Sequence, residues 1–292
     1  EQGATTRLIR LREYAFSSDA LVSAAYRHNP KDRLPELHRR AAIWLQERPL
    51  LSAEVWAEAG RHRALAGEPA AARELLGRAG DVAYRATAYA DAATYYGRAI
   101  ALAEASAGHP GAEEALFSLL GRRERVLNAL GRWAEQREDA ERMLELAVAE
   151  GERPWEIEAL LRVGRTALNS GDHQTALETF ERAHRLGDPA KDPEPCARAL
   201  RWRALVHFNR SEHRQALPLF EEALHLAEAG GRGELAAELA YEMGVTVGTV
   251  GDYARAVEVS LRALEMFREQ QNAYQEAFCL GNLGCFYCYL GD

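Results

Sequence analysis

Several features that mark enzymes and membrane proteins are missing from this sequence. No apolar run approaches the roughly 20 residues that a helix needs to span a bilayer, so we expect no membrane partner. The phosphate-binding pattern Gly-x-x-x-x-Gly-Lys-Ser/Thr is also absent, because neither of the two lysines, Lys31 and Lys191, follows a glycine. We therefore expect no cofactor within these residues.

Cysteine and histidine are sparse and lack the spacing of a reactive site. The four cysteines (Cys196, Cys279, Cys285 and Cys288) form no disulfide framework, which favours a reducing compartment and a cytoplasmic location. Cys285 and Cys288 have CxxC spacing, but a zinc site would want a second Cys or His pair. No pattern of Ser, His and Asp or of Cys and His suggests a nucleophile. We expect no metal site, and we do not expect an enzyme.

Acidic residues outnumber basic ones beyond the N-terminus. The net charge is −8, with +3 on residues 1–50 and −11 on the remainder. Proteins that bind nucleic acid need clustered basic side chains to neutralise phosphates. We therefore expect no direct contact with nucleic acid.

The sequence is rich in residues that form helices, and it repeats. Alanine, leucine, glutamate and arginine dominate, and these residues favour helices. Turn residues recur forty positions apart, at Gly131, Gly171, Ser211, Gly251 and Gly291. A fixed period of this kind is typical of helical solenoids, which mostly bind partners along one face. The sequence thus predicts an all-α fold.

Each turn separates two amphipathic helices, which we call A before the turn and B after it. A small residue lies seven positions before the turn, and a small residue inside a helix needs a packing reason. Alanines with an aromatic residue between them form one face of helix B. The small positions of helix A are Gly164, Ala204, Gly244 and Gly284, and helix B carries Ala176, Phe180, Ala183, Ala216, Phe220, Ala223, Ala256 and Ala263.

This combination resembles the tetratricopeptide repeat. The match covers residues 112–292 and is best in residues 280–292; one unit departs from it, with Gln136 in place of the first alanine. The resemblance implies a right-handed superhelical solenoid that binds proteins or peptides. Its period here is 40 residues, longer than the usual period of about 34.

In tetratricopeptide arrays, the groove lined by the A helices usually holds the ligand. Among the positions carried over, Arg165, Arg198 and Arg201 suit a carboxylate or an acidic peptide, because arginine binds such groups with two parallel hydrogen bonds. The C-terminal positions suit a hydrophobic anchor, and the alternative for the whole set is an ordinary polar surface. The groove candidates are Glu158, Arg165, Asn169, Arg198, Arg201, Phe208, Asn209, Glu238, Tyr241, Phe278 and Tyr289.

The N-terminal segment does not follow the repeat. It contains Tyr14-Ala15-Phe16 and later Leu37-His38-Arg39-Arg40-Ala41-Ala42-Ile43-Trp44-Leu45. This order is similar to the region after the ATPase core in large bacterial signal-transducing ATPases, such as LuxR-type regulators. Ser18 stands where that pattern has a histidine. The resemblance implies a nucleotide-binding module outside this sequence, and the alternative is a helix pair that caps the array.

These observations divide the chain into three parts. Residues 1–50 are a helical adaptor, interpreted as the end of a winged-helix region linked to an ATPase. Residues 51–104 are two short irregular helical pairs, and residues 105–292 are repeats of about 40 residues, the last of them incomplete. We expect the natural protein to continue beyond residue 292, and the open last repeat to be buried by self-association, because terminal repeats need a polar outer face.

The expected function is that of a sensor arm. It would bind a protein or peptide, with a small effector as a further candidate, within a larger ATP-dependent bacterial signalling or transcriptional regulator. One alternative is a plain scaffold for protein complexes. Another is the repeat region of a protein whose enzymatic output domain lies elsewhere.

Overall fold

The protein folds into a row of α-helices. The computed structural model describes residues 24, 27–28, 30–49 and 51–291, so the motif at residues 14–16 and Ser18 lie outside the described residues. Within the described part of the chain, no helix combines the length and apolarity that a membrane crossing needs. The helices are α1 (Leu34–Gln46), α2 (Ala53–Leu65), α3 (Pro69–Arg85), α4 (Tyr89–Glu104), α5 (Ala112–Ala129), α6 (Trp133–Glu150), α7 (Arg153–Asn169), α8 (His173–Leu186), α9 (Pro193–Asn209), α10 (His213–Ala229), α11 (Gly233–Val250), α12 (Tyr253–Glu269) and α13 (Ala273–Leu290).

The helices pack in sequence order. Each one contacts the helix before it and the helix after it, so neighbours in the chain are neighbours in space. The A helices are α3, α5, α7, α9, α11 and α13, and each except the last is followed by its B helix. This is the all-α array of helix pairs that the sequence predicts.

Tight turns at the predicted positions join the two helices of a pair. Gly171 has a φ of +79°, in the left-handed region that glycine adopts without a steric penalty. The Asp172 amide donates to the Ala167 carbonyl at 2.9 Å, and its side chain accepts from the Thr175 amide at 3.1 Å. One turn therefore closes α7 and caps α8.

The small residues of the A helices allow the B helix to come close. A Cβ atom added at Gly164 would lie 2.5 Å from the ring of Phe180, and one added at Gly244 would lie 2.5 Å from the Ser260 hydroxyl. Ala204 is fully buried at the equivalent position. Close packing of the helix pair thus explains the small residues, whereas Gly284 has no such neighbour within 4 Å.

One pair packs through polar side chains instead. Glu124 lies seven residues before Gly131, where the other units have a glycine or an alanine, and Gln136 lies five residues after it. Both side chains are fully buried, and the Gln136 amide donates to Glu124 Oε1 at 2.5 Å. The departure visible in the sequence is therefore a buried hydrogen bond between α5 and α6.

The stretch before the regular repeats contains three helices, α2, α3 and α4, where the sequence suggested two pairs. A Cβ atom added at Gly60 would lie 3.0 Å from Leu76, and one added at Gly80 would lie 2.4 Å from Tyr96. Both glycines thus repeat the close contact of the later pairs. Consequently α3 packs as a second helix against α2 and as a first helix against α4.

The last helix, α13, presents an apolar surface. Tyr274, Phe278 and Leu280 have 72%, 48% and 47% of their area exposed. A Cβ atom added at Gly281 or Gly284 would meet no atom within 4 Å. No described residue covers this side of the helix.

Candidate functional site on the A-helix face

The A helices form one continuous face of the array. Direct contacts join α7 to α9 and α11 to α13, although a B helix lies between them in the sequence. Side chains about forty residues apart meet there, because successive repeats bring equivalent positions together. We call this surface the A-helix face and the boundary between two successive A helices a seam.

The seam between α3 and α5 is held by an acidic residue of α3. Arg122 donates to Asp81 Oδ2 at 3.0 Å, and the Tyr96 hydroxyl donates to Asp81 Oδ1 at 2.8 Å. Burial and the bond to Asp81 raise the pKa of Tyr96, so its proton is retained. Asp81 is thus fully engaged by two donors of this chain.

The seam between α5 and α7 is built around one buried carboxylate. Glu124 accepts a hydrogen bond from Arg162 at 2.6 Å and from Arg165 at 2.6 and 2.8 Å. Burial acts to raise the pKa of Glu124, but the charge of Arg165, the bond from Gln136 and the charge of Arg162 hold it below the usual value. A charged glutamate therefore fixes this seam.

The seam between α9 and α11 reverses the signs. Arg201 donates to both oxygens of Glu242, at 2.9 and 2.6 Å, and lies 2.5 Å from Glu238 Oε2. Burial raises the pKa of Glu242 and the nearby charge of Glu238 adds to that rise, while Arg201 opposes it. One arginine is thus shared by two carboxylates, so these three side chains have a surplus of negative charge.

A small apolar hollow lies beside that seam. Its volume is about 120 Å³, and one carboxylate, that of Glu242, stands among its lining residues. A hollow of this chemistry suits an aliphatic or aromatic side chain that is followed by a positive group. The remaining lining residues are Leu205, Phe208, Phe220, Tyr241, Val245 and Thr246.

The three arginines expected to bind an acidic ligand are all paired within the chain. Arg165 binds Glu124, Arg201 binds Glu238 and Glu242, and Arg198 Nη1 lies 3.4 Å from Glu158 Oε2. Each of the three arginines thus has a carboxylate of a neighbouring repeat within reach, and Glu124 and Glu158 are shared with Arg162.

The other groove candidates fall into three groups. Phe208 and Tyr241 line the hollow, and Asn169 and Asn209 are exposed at the ends of their helices. On α13, Phe278 is 48% exposed and Tyr289 is 69% exposed, with the Tyr289 ring stacked on Tyr253 at 4.7 Å. The structure therefore brings together Phe208 and Tyr241 at the hollow, Arg201 and Glu238 beside it, and Glu158 with Arg198 across the seam between α7 and α9.

Two features of this face escape sequence reasoning: the role of Glu242 and the arginine-rich seam at Arg122. Both could have been found from a spacing of 41 residues, which separates Arg201 from Glu242 and Asp81 from Arg122. The same spacing joins Tyr241 to Asn282, whose amide donates to the tyrosine hydroxyl at 3.3 Å. A search for complementary residues one repeat apart would have detected these pairs.

The described residues show no arrangement suited to a metal ion. No group of three or more His, Cys, Asp or Glu side chains converges within them. The histidines near the turns pack instead: the His213 ring meets Phe208 edge-on at 5.0 Å, and His207 Nδ1 lies 2.8 Å from Glu212. These positions contribute to the turn, as the repeat pattern suggests.

Comparison with protein families places the repeat in a known class. Residues 195–269 match the tetratricopeptide repeat model, which covers the α9 to α12 part of the array. A comparison with curated proteins finds no match.

Solved structures share the fold at low sequence identity. BtubC (BKLC) from P. vanneervenii is 13% identical, with a TM-score of 0.60 over 84% of this chain and 94% of that one. The Rap conjugation gene regulator of plasmid pLS20, solved with the Phr* peptide, is 16% identical, with a TM-score of 0.56 over 88% of this chain and 66% of that one.

A third similar structure is a signal transduction ATPase with numerous domains that has a tetratricopeptide repeat sensor, from Pyrococcus horikoshii. It is 14% identical with a TM-score of 0.56, and the match covers 92% of this chain but only 45% of that protein. Likenesses at such identities show the fold alone. The chain is an all-α protein built of tetratricopeptide-like repeats.

Proposed function

We propose that this chain is the peptide-binding arm of a signalling regulator, and that a peptide binds along the A-helix face at α9 and α11. The observation that carries the proposal is the apolar hollow beside Arg201, Glu238 and Glu242. An apolar anchor in a pocket with a charged partner at its rim is a common way for a protein to hold a peptide.

The charges of this seam favour a peptide of one type. Two carboxylates face one arginine, so a lysine, an arginine or a terminal amine next to the anchor would balance the surplus. We prefer this ligand to the acidic one suggested by the sequence, because Arg201 is paired with two carboxylates. The Rap regulator solved with the Phr* peptide supports a peptide as the ligand class.

The proposal that this chain belongs to a signalling regulator rests on weaker similarities. The similarity to the repeat sensor of the Pyrococcus horikoshii ATPase and the N-terminal motif support a nucleotide-binding module on the same protein, in a cytoplasmic setting. In that arrangement the peptide shifts the balance between inactive and active states only if it binds one state more tightly. The chain itself is proposed to do no catalysis.

Selection of peptides and one matched pair of variants test the binding site. A displayed random peptide library is selected on the folded chain, and the enriched peptides are measured by titration calorimetry. Val245→Arg fills the hollow and places positive charge at Glu242, so affinity should fall at least about tenfold. Leu261→Arg is the control, because Leu261 is 40% exposed on helix α12.

The outcomes are distinct. Enriched peptides with an apolar residue beside a basic one, weakened by Val245→Arg but not by Leu261→Arg, support the site. Peptides that bind both variants equally well, or a selection that enriches nothing, contradict it.

The regulator and the plain scaffold are separated by flanking sequence. The coding DNA on both sides of these residues would be sequenced. A Gly-x-x-x-x-Gly-Lys-Ser/Thr motif upstream supports the regulator. Its absence from both flanks would leave a scaffold arm.

A further inference from the structure

The seam between α3 and α5 opens into a cleft at the other end of the A-helix face. The cleft has a volume of about 620 Å³ and continues into a pocket of about 240 Å³, with Asp81 and Arg122 lining both. Volumes of this order are typical of sites that hold small molecules. No motif in the sequence predicts a site here.

Arginine dominates the walls of this cleft. Five arginines and two carboxylates line the two volumes together, a surplus of three positive charges in a chain whose net charge is −8. Concentrating one sign of charge in a cleft raises the local potential and attracts ions of the opposite sign. The arginines are Arg73, Arg78, Arg85, Arg122 and Arg125, and the acids are Glu74 and Asp81.

Both carboxylates are already neutralised inside the cleft. Glu74 lies 2.6 Å from Arg78, and Asp81 accepts from Arg122 and from the buried Tyr96 hydroxyl. Each carboxylate therefore already has an arginine partner within the cleft.

The remaining arginines are left with their charge. Arg73 and Arg85 have no ion pair with any described residue, and Arg125 lies over the Tyr84 ring at 5.9 Å. Arg85 and Arg125 line the same pocket, together with Tyr84 and Arg122. Two guanidinium groups thus flank an opening in which the only carboxylate among the described lining residues is Asp81, which accepts from Arg122 and Tyr96.

We infer that this cleft binds a small ligand that carries adjacent phosphate groups. Guanidinium groups bind phosphate oxygens through two parallel hydrogen bonds, and arginine keeps its charge at every physiological pH. Two phosphate groups together carry about three negative charges. This charge matches the surplus of positive charge in the cleft. The site is separate from the hollow at α9 and α11 and does not depend on peptide binding.

Pyrophosphate is the probe for a direct test. Titration calorimetry on the folded chain, at constant ionic strength, compares pyrophosphate with two other anions. Citrate tests carboxylate groups in place of phosphate groups, and sulfate tests an anion with a single charged group. Constant ionic strength is needed because salt screens exposed charges. We expect saturable binding of pyrophosphate, with citrate and sulfate at least about tenfold weaker.

A double variant locates the binding. Arg85→Ala with Arg125→Ala removes two exposed side chains that hold no ion pair with a described residue, so folding should be kept, and circular dichroism checks it. Pyrophosphate affinity should fall roughly tenfold or more. The control is Arg137→Ala with Arg214→Ala, which removes the same charge from exposed positions on α6 and α10.

Each outcome decides the proposal. Loss of affinity in the first variant and not in the control supports a phosphate site in this cleft. Equal losses in both variants would show only a general effect of net charge and would overturn the site. Equal affinity for citrate would overturn the choice of phosphate, and no saturable binding of pyrophosphate would overturn the whole inference.

Discussion

Two seams of the A-helix face are built from the same parts with opposite signs. Between α5 and α7, buried Glu124 is held by Arg162 and Arg165. Between α9 and α11, Arg201 is held by Glu238 and Glu242. One equivalent position, nine residues before the turn, carries Arg162 in the first seam and Glu242 in the second, so the repeat brings the helices together and the sequence decides the sign of the charge.

The comparison explains how one array can offer two kinds of binding surface. The α3 to α5 end of the face carries surplus arginines, and the α9 to α11 end carries surplus carboxylates beside an apolar hollow. The side chains at each seam thus determine which kind of ligand that seam suits. The following predictions either break one seam or show that the two behave differently.

The largest effect is expected for Glu124→Ala. The carboxylate is fully buried, and its removal takes the ion-pair partner from Arg165 and leaves Arg162 paired with Glu158 alone. We expect a loss of about 3–5 kcal/mol in unfolding free energy, measured by urea denaturation. The control is Glu135→Ala, an exposed residue paired with Arg132; equal losses for the two variants would contradict a structural role for the buried carboxylate.

Arg201→Ala should lower the unfolding free energy by less than Glu124→Ala does. It leaves Glu242 half-buried and unpaired beside Glu238, but 21% of the arginine side chain is already exposed, so water can enter. We expect a loss of roughly 2–3 kcal/mol by the same measurement. A loss larger than that of Glu124→Ala would reverse the proposed order of the two seams.

Acidification should affect the two seams in opposite directions. The folded-state pKa of Glu124 is lowered, so its contribution is present above the unfolded pKa and is lost as pH falls through the folded pKa. The pKa of Glu242 is raised, so its contribution is present below the unfolded pKa and is lost as pH rises through the folded pKa.

Glutamine variants of the two carboxylates test these opposite pH dependences. Glu124→Gln should destabilise more at about pH 7 than at about pH 4, and Glu242→Gln should destabilise more at about pH 4. Urea midpoints of the wild type and both variants at the two pH values are compared. Parallel pH dependence of the two variants would contradict the opposite roles of the carboxylates.

The smallest effect is expected for Arg198→Ala. Its side chain is 42% exposed and its nitrogen lies 3.4 Å from Glu158, a long and solvated pair. The change should be no more than about 0.5 kcal/mol, similar to Arg262→Ala, which breaks an exposed pair with Glu228 on the B helices. A clearly larger loss for Arg198 would mean that this pair also fixes a seam.

The sequence predicts the fold well because the repeat signals are local. Glycine at the turns, small residues in helix A and alanines in helix B reflect contacts within one helix pair, such as Gly164 against Phe180. Each signal recurs every forty residues, so independent positions agree. The all-α array of pairs follows from them.

The candidate site is harder to predict, since it depends on contacts between repeats. Arg165, Arg198 and Arg201 are on the A-helix face, but their partners lie on neighbouring helices about forty residues away. Periodicity shows which face a side chain occupies, not whether its charge is already used. The polar pair of Glu124 and Gln136 was visible only as a departure from the pattern, for the same reason.

Hydrogen–deuterium exchange of the chain, alone and with a peptide selected on it, tests the central claim most directly. The claim is that the A-helix face at α9 and α11 binds a peptide through the hollow lined by Val245. The account predicts that the peptide slows amide exchange in α9 and α11 more than in α10 and α12. In Val245→Arg the peptide should cause no such slowing. Protection confined to the B helices, or the same protection in the variant, would contradict it.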